Sequence, residues 1–462
     1  MSAHTPSPAA AETRALLHLA VPIMVAQLAH TATGFVDTVM AGRLGAEALA
    51  AVSIGASVMI SVFITLSGVA AALNPLVAHH IGAQQPEQVG PTVRQGLWTA
   101  LACGLLGALV LLAAGRWGVW MIGLEAPVAA SAEGYLQGVA MGMPAALLYR
   151  ALHAYSSAVS QTRPIMVISL LALALNTVLN YLLIYGKFGF PALGGAGCGW
   201  ATGVAFWFSL ICLAGWTRWR ASYRRYALWS AWSWPQWSPQ RALLKLGVPI
   251  ALSYFVEVTA FTSVALLIAN LGAQVVASHQ VVINFTSLLY MIPQSLGVAL
   301  SVRVGHAVGA GDFARARFNS RIGLRLGAAI ALCSSLLVFA LRAPIAALYS
   351  ADANVIAMAA SLLGFAAVFQ LADALQTIAS GALRGYKLTT APMLIHTLSF
   401  WGIGLGLGVW LGNLIRKWIM PDAVYGSTGA VIQARLLWAV LPQFIGWFIG
   451  FMVAMSILGI RA

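Results

Sequence analysis

Three acidic side chains lie inside long apolar stretches of this 462-residue chain: Asp37, Glu257 and Asp373. The whole sequence contains only 11 Asp and Glu residues, and the others lie in polar segments or near the ends of apolar runs. A carboxylate at the centre of a bilayer costs about 2.5–3.5 kcal/mol even on a lenient insertion scale. Such a cost is sustained by a hydrogen-bonding partner, a bound cation or a water-filled cavity. These three positions are therefore the first candidates for function.

Glu257 and Asp373 both belong to the second half of the chain, and two carboxylates in one half predict a cation site. Because desolvation disfavours the charged form of a carboxyl group, the pair could take up a proton. The same carboxylates, together with backbone carbonyls, could instead hold a bare monovalent cation, and the residue types do not separate these uses. Asp37, with nearby aromatic faces, could attract an organic cation. Each acid also has a structural alternative, which is a hydrogen bond to a backbone amide at a helix break.

The elements that position these acids are predicted to be membrane helices. Hydrophobic types make up 60% of the residues and charged types 8%, against about 25% charged residues in soluble domains, which excludes a soluble globular enzyme. A membrane helix needs about 20 apolar residues. The apolar runs predict an all-α integral membrane protein with twelve spans, at residues 16–40, 46–73, 95–115, 128–151, 165–186, 196–217, 243–270, 276–301, 322–341, 353–379, 391–413 and 435–459.

The basic residues predict the orientation of these spans. With a cytoplasmic N-terminus, eighteen Lys and Arg residues fall on the cytoplasmic side and seven on the outer side. This bias follows the positive-inside rule, so both termini are expected in the cytoplasm. Residues 1–14 lack the basic n-region and early cleavage site of a secretory signal, so we expect the first apolar run to be retained as a signal-anchor helix.

Residues 216–245 form the clearest linker, because they contain six Lys or Arg, six Trp and no acid. Interleaved Trp and Arg could stack on nucleic acid. Next to membrane spans, however, this composition is typical of a segment that lies on the cytoplasmic leaflet. We therefore expect contact with membrane lipid and no nucleic-acid partner.

The chain repeats itself at an offset of 227 residues. Residues 21–23 match 248–250, residues 44–46 match 271–273, and Arg94 matches Arg321. The repeat predicts an N-terminal six-helix lobe at 1–217, a basic Trp-rich cytoplasmic linker at 218–242 and a C-terminal six-helix lobe at 243–462. The two lobes are expected to be related by a pseudo-two-fold axis along the membrane normal. Duplicated halves can be scaffolds alone, but they suit alternating access, which favours a transporter.

The three acids are not part of the duplicated scaffold. The repeat aligns each acid with a non-acidic residue: Glu257 with His30, Asp37 with Val264 and, at an offset of 228, Asp373 with Ala145. This difference indicates that the acids were added for function. The sequence has no G-x-x-x-x-G-K-[ST] motif, so we expect an ion gradient to drive transport, with no cofactor.

Two alternative functions are also compared with the sequence. A lipid-linked sugar flippase would need a broad basic cavity, but the spans contain acids and almost no Lys or Arg. An intramembrane enzyme would need a catalytic cluster at one membrane face, whereas the acids here are dispersed.

Residues 138–142, 195–199 and 402–408 carry closely spaced glycines, which predict close helix packing.

Several longer motifs together resemble the bacterial NorM-like branch of the multidrug and toxic compound extrusion (MATE) family, over essentially the whole chain. The motifs are residues 35–45 (FVDTVMAGRLG), 81–83 (IGA), 94–98 (RQGLW), 176–186 (NTVLNYLLIYG), 194–202 (GGAGCGWAT) and 304–309 (VGHAVG). The resemblance implies a monomeric inner-membrane antiporter with two six-helix lobes. Such a protein would export amphipathic, mostly cationic drugs and dyes in exchange for Na⁺ or H⁺.

The resemblance also implies roles for individual residues. Glu257 and Asp373 match the cation-coupling acids, and thus the ligands of Na⁺ if Na⁺ is the coupling ion, and Tyr290 matches an aromatic residue beside them. The residues matching the N-lobe and substrate-contact positions are Asp37, Asn176, Asn180, Gln280 and Asp352. Phe369 departs from the family pattern, since some members have a Tyr there, and the missing hydroxyl removes one ligand for Na⁺.

Overall fold

The structure is a computed structural model, and it describes residues 7–121, 123–269 and 272–407. All regular elements in these residues are helices, in agreement with the predicted all-α fold. Nine of the helices within these ranges are long and apolar enough to cross a membrane. The predicted span 435–459 and the end of the span 391–413 lie outside the described residues.

The first half of the chain forms long helices joined by short turns. A π-helical turn at Ala114–Gly118 links α4 to α5, and a 3₁₀ turn at Lys187–Gly189 follows α7. The helices are α1 (Pro8–Leu44), α2 (Ala46–Ala71), α3 (Leu73–Gly82), α4 (Pro86–Ala113), α5 (Val119–Met121), α6 (Ala126–Ala158), α7 (Arg163–Tyr185), α8 (Gly195–Trp219) and α9 (Ala221–Arg224).

The second half continues with α10 (Trp237–Ala269), α11 (Ala273–Gly309), α12 (Phe313–Tyr349), α13 (Ala353–Gly385) and α14 (Thr390–Thr397). The predicted spans lie along these helices, but several spans are shorter than the helices that contain them. The span at 322–341, for example, is the apolar middle of α12, which begins nine residues earlier at Phe313. The apolar run marks only the part suited to hydrocarbon, whereas the backbone hydrogen bonds of the helix continue through amphipathic turns beyond it.

The described residues divide into two compact units. The first unit contains His18–Leu252 and Gly305–Phe313. The second unit contains the start of α1, Ser253–Val304 and the described residues from Ala314 onward. Helices α1, α10, α11 and α12 each contribute residues to both units. The lobe limits predicted from the repeat, 1–217 and 243–462, stay predictions.

Within the first unit, α6 and α8 pack backbone against backbone at the predicted glycines. A Cβ atom added to Gly138 would lie 2.5 Å from the backbone nitrogen of Trp200, and one added to Gly199 would lie 2.1 Å from the carbonyl oxygen of Tyr135. Any side chain at these positions would push the two helices apart, as expected of small residues at membrane helix interfaces. The prediction of close packing at 138–142 and 195–199 is confirmed.

At the third glycine run, 402–408, a Cβ atom added to Gly402 would meet no atom of the described residues within 4 Å, so the prediction of close packing has no support at this glycine. Gly402 instead lies in a π-helical stretch, Leu398–Leu407, that continues from α14. Glycine has a weak preference for the α-helix, so a glycine-rich segment can adopt the wider π turn.

The Trp-rich linker is attached to α4 by side chains of that helix. Arg94 Nη1 donates to the carbonyl oxygens of Ala227 and Leu228, at 3.0 and 3.1 Å. Trp98 Nε1 donates to the carbonyl oxygen of Ser233 at 2.9 Å. The linker therefore has a defined path within the first unit, while the indole rings of Trp232 and its neighbours remain largely exposed.

Candidate functional site

Asp37 lies in a closed hydrogen-bond network inside the first unit. Asn180 Nδ2 donates to Asp37 Oδ1, and Thr202 Oγ1 donates to Asp37 Oδ2 at 3.2 Å. Asn176 supports both donors, because its Nδ2 donates to Thr202 Oγ1 at 3.2 Å and its Oδ1 accepts from Asn180 Nδ2 at 3.0 Å. Both carboxylate oxygens of Asp37 therefore have uncharged donors, although its side chain is buried.

Three helices position this network. Asn176 and Asn180 are one turn apart on α7, so their side chains lie on the same face. Thr202 is on α8, whose glycines permit close approach, and Asp37 is on α1. Two buried oxygens of the surroundings, Asn180 Oδ1 and Tyr135 Oη, have no hydrogen-bond partner among the described residues. Polar capacity thus remains next to Asp37 after its own carboxylate is satisfied.

The second unit brings together Glu257 of α10, Tyr290 of α11 and Asp373 of α13. The Tyr290 hydroxyl is hydrogen-bonded to the Glu257 carboxylate and also to Thr377, one turn after Asp373. Glu257 and Asp373 are close enough for their charges to interact directly. Asp373 is buried, whereas Glu257 is partly exposed. Two like charges this close oppose each other's ionisation, so a cation or a proton between them relieves the repulsion.

A basic side chain, that of Arg384, lies near this acid pair. Arg384, at the C-terminal end of α13, interacts electrostatically with Glu257. Its Nη1 donates to Tyr254 Oη at 2.9 Å, and its guanidinium carbon is 5.2 Å from the centroid of the Tyr254 ring. Tyr254 is three residues before Glu257 on α10, so it holds Arg384 on the same helix face as the acid. The acid pair is thus partly compensated by one fixed positive charge.

The predicted substrate-contact residues are divided between the two units. Gln280 and Asp352 belong to the second unit, whereas Asp37 belongs to the first. Gln280 is exposed on α11. Asp352 caps α13, because its Oδ1 accepts from the backbone nitrogens of Asn354 and Val355 at 2.8 and 3.4 Å. The local geometry of Asp352 is that of an N-cap.

Several residues of the two networks escaped the sequence-based prediction. Thr202 belongs to the motif at 194–202, but only its contact with Asp37 identifies it as a partner. For Tyr254 and Arg384 the sequence offers only a weak signal, which is the three-residue spacing that puts Tyr254 on the same helix face as Glu257. Phe369 packs against an apolar cluster that contains Val256 and Phe400. Its ring therefore takes part in helix packing at the place where some family members have a hydroxyl.

The donor set at the acid pair suits a small monovalent cation or a proton. Within the described ranges, no group of three or more His, Cys, Asp and Glu side chains could hold a metal ion. The two carboxylates of Glu257 and Asp373, with the hydroxyls of Tyr290 and Thr377, supply oxygen atoms only. Oxygen ligands suit hard cations rather than transition metals.

The sequence model of the MatE family matches this chain twice, over residues 22–182 and 249–410. The two matches begin at Pro22 and Pro249, which the repeat also aligns, so the internal duplication is confirmed. The chain is 54% identical to the probable multidrug resistance protein NorM of Chromobacterium violaceum, over 91% of this chain and 90% of that protein. It is 44% identical to the multidrug resistance protein PmpM of Pseudomonas aeruginosa, over 92% and 90% of the two chains.

Solved structures show the same fold. The eukaryotic MATE transporter AtDTX14 superimposes with a TM-score of 0.81 at 22% identity, over 97% of this chain and 95% of that one. An outward-facing multidrug resistance MATE family transporter superimposes with a TM-score of 0.83 at 18% identity, over 97% and 96% of the two chains. The fold is thus the MATE fold of twelve transmembrane helices in two lobes. From the two family matches and the relatives, the chain belongs to the MatE family and, within it, to the bacterial NorM-like transporters.

Proposed function

We propose that this protein is a secondary active antiporter that exports amphipathic, mostly cationic drugs and dyes in exchange for Na⁺ or H⁺. The observation that carries the proposal is the acid pair of the second unit, in which Glu257 and Asp373 interact with each other and with Tyr290. The names of the NorM and PmpM relatives support multidrug efflux as the function. No cofactor is required, because an ion gradient drives the cycle.

The cation site works by differential affinity between two states of the transporter. A cation that binds more tightly to the acid pair in one state shifts the population toward that state. If the drug binds more tightly to the other state, cation binding releases the drug, and the two affinities are linked reciprocally. Exchange then follows from alternating access, as in other transporters built from duplicated halves.

Asp37 is proposed to attract the drug through its carboxylate. Its network with Asn176, Asn180 and Thr202 keeps the carboxylate in one orientation. An organic cation is attracted by this charge, and aromatic faces can add cation–π contacts. Gln280 and Asp352 are proposed as further drug contacts, and Asp352 would combine that role with capping α13.

The protein is placed in the bacterial inner membrane, as a monomer with both termini in the cytoplasm. The basic bias of the loops supports this orientation. Trp232, Trp234 and Trp237 are each more than 70% exposed. Exposed indole rings beside Arg residues favour the interface of an anionic leaflet. Membrane lipid is therefore the partner of this linker, and no nucleic-acid partner is proposed.

Uptake of a fluorescent organic cation into inverted membrane vesicles tests the proposed function. Vesicles that contain the protein should accumulate the dye when a pH gradient or a Na⁺ gradient is imposed, and vesicles without it should not. The Glu257→Gln variant, inserted at the same level, is the matched control and should not respond to either gradient. Equal dye uptake with and without both gradients would contradict cation coupling.

A further inference from the structure

A row of buried polar side chains runs along one face of α13 from the acid pair toward the C-terminal end of the helix. Asp373, Gln376 and Ser380 follow one another at three- and four-residue spacing, which places them on one face. All three are buried, with relative exposures of 7%, 4% and 4%. Arg384 follows four residues later and ends the row. Polar side chains inside a membrane are costly unless they have polar partners or face water, and such side chains often mark a path for ions or protons.

The middle of this row contains two buried polar atoms without partners. Gln376 Nε2 and His396 Nε2 lie 3.1 Å apart, which joins α13 to α14. Within the part of the chain that the structure describes, however, the Gln376 Oε1 atom and the His396 Nδ1 atom have no hydrogen-bond partner. Both residues are more than nine-tenths buried. An unsatisfied buried polar group costs about 1–3 kcal/mol, so two of them in one place favour the binding of a small polar molecule.

Both possible assignments of the Gln376 amide and the His396 imidazole leave polar positions open. If the Gln376 amide nitrogen donates to His396 Nε2, the neutral ring carries its hydrogen on Nδ1, and that donor lacks an acceptor. If the amide is turned over, Gln376 Oε1 accepts from Nε2–H, and Nδ1 becomes an acceptor without a donor. Either arrangement leaves one open position on the ring and one on the amide. A water molecule, which both donates and accepts, satisfies such groups in protein interiors.

The charged groups around His396 are also defined. Arg384 interacts electrostatically with His396, as it does with Glu257. Phe400, on the continuation of α14, places its ring edge against the imidazole with centroids 5.9 Å apart. Arg384 is itself held by Tyr254 of α10. The fixed guanidinium opposes the passage of a metal cation toward this end of α13, and it also disfavours a long-lived imidazolium.

We propose that Gln376 and His396 hold a water molecule that relays the coupling proton between the acid pair and the C-terminal end of α13. The relay uses the arrangement in which Gln376 Oε1 accepts from the Nε2–H of the neutral His396 ring, so that Nδ1 is an acceptor. A carboxylic O–H bond of the pair breaks and its proton passes to water, while a proton of that water forms an N–H bond at His396 Nδ1. The positive charge of Arg384 then favours loss of the Nδ1 proton to the next water toward the C-terminal end of α13, which restores the neutral ring with its hydrogen on Nε2. The inference rests on the proposed cation coupling and identifies the coupling ion as H⁺.

Purified protein in liposomes tests the relay, with exchange of a fluorescent organic cation for protons followed by a pH dye trapped inside. The His396→Asn variant keeps a hydrogen-bonding side chain but cannot relay a proton, and we expect the exchange rate to fall by about tenfold or more. The affinity for the dye, measured by fluorescence polarisation, should stay within about twofold of the wild type, because the ring does not contact the drug in this account. A Gln376→Leu variant should likewise show a lower exchange rate with an unchanged affinity for the dye.

The matched control is His279→Asn, because His279 is another buried histidine of the second unit, on α11. This variant should exchange at the wild-type rate. Wild-type exchange by His396→Asn would overturn the relay. If His396→Asn does not fold, the wild type decides the question: exchange driven by a pH gradient without Na⁺ supports the relay, and exchange driven by Na⁺ alone at equal pH overturns it. Exchange driven by Na⁺ alone would overturn the relay but would still agree with cation coupling. Exchange at the wild-type rate by both Glu257→Gln and Asp373→Asn would overturn the proposed function itself.

Discussion

The carboxylate of the first unit and the carboxylates of the second differ in how they are satisfied. Asp37 accepts hydrogen bonds from Asn180 and Thr202, one at each oxygen, and a third polar residue holds both donors. Glu257 and Asp373 interact with each other and share the neighbourhood of the Tyr290 hydroxyl. A carboxylate with fixed donors keeps its position, whereas two adjacent carboxylates with few donors favour the entry of a cation. In the function proposed above, the same residue type would serve attraction in one unit and exchange in the other.

The internal duplication makes this difference easy to locate. At the offset of 227, Glu257 aligns with His30 and Tyr290 aligns with Phe63. The carboxyl–phenol contact of the second unit is therefore replaced in the first by an imidazole and a phenyl ring, whose centroids are 5.9 Å apart. The His30 ring also lies 5.9 Å from the ring of Phe206. One helical scaffold supports an acidic pair in one copy and an aromatic cluster in the other.

The largest expected effect comes from removing a charge of the acid pair. Glu257→Gln and Asp373→Asn should each abolish dye efflux from cells, by a factor of about 100 or more, because a neutral amide neither binds the cation nor releases a proton. Asp37→Asn should weaken dye binding but leave the response to the cation intact. Efflux and surface expression are measured together, and normal efflux by both variants of the acid pair would remove the distinction between the units.

A second prediction concerns stability rather than transport. Asn180→Leu leaves one oxygen of the buried Asp37 carboxylate without its donor, which should lower stability by about 1–3 kcal/mol. Tyr290→Phe should change stability much less, because the acid pair is not held by a closed network. Thermal unfolding in detergent compares the two variants. Equal losses of Tm would show that the two regions are equally dependent on their hydrogen bonds.

Tyr290→Phe should act on cation affinity. Hydrogen bonds to charged groups contribute about 1.5–3 kcal/mol, so loss of the hydroxyl should raise the cation concentration for half-maximal exchange by about tenfold or more. Phe369→Tyr is the complementary change, since it introduces a hydroxyl on α13, the helix that carries Asp373. Titration of exchange against the cation in liposomes measures both, and an unchanged midpoint in Tyr290→Phe would exclude this side chain from the site.

The smallest effect is expected at His30. Substitution of His30 by Gln leaves the acid pair unchanged, so the dependence of exchange on the cation should match the wild type within about twofold. His30→Glu should likewise create no second coupling site, because its partners by the repeat are Phe63 and Ala145 rather than Tyr290 and Asp373. A second cation-binding phase in His30→Glu would show that the scaffold, and not the acid pair, determines coupling.

The membrane fold was predictable because hydrophobicity and repetition are properties of the local sequence. The pairing of Asn176 with Asn180 was also accessible, since residues four apart on a helix share a face. The contact of Gln376 with His396 was not, because the two residues are on different helices and neither belongs to a recognised motif. For the same reason the Arg384–Tyr254 bond, which spans 130 residues of sequence, required the structure.

The division of roles between the two regions is tested most directly at equilibrium. A fluorescent organic cation is bound to the purified protein, and the coupling cation is added while the bound fraction is followed by fluorescence polarisation. If the two affinities are linked reciprocally, the cation should release the dye from the wild type. It should also release the dye from Asp37→Asn, measured relative to the amount bound to that variant before the cation is added. It should not release the dye from Glu257→Gln. Release from Glu257→Gln along the wild-type curve would contradict the assignment of cation coupling to the acid pair.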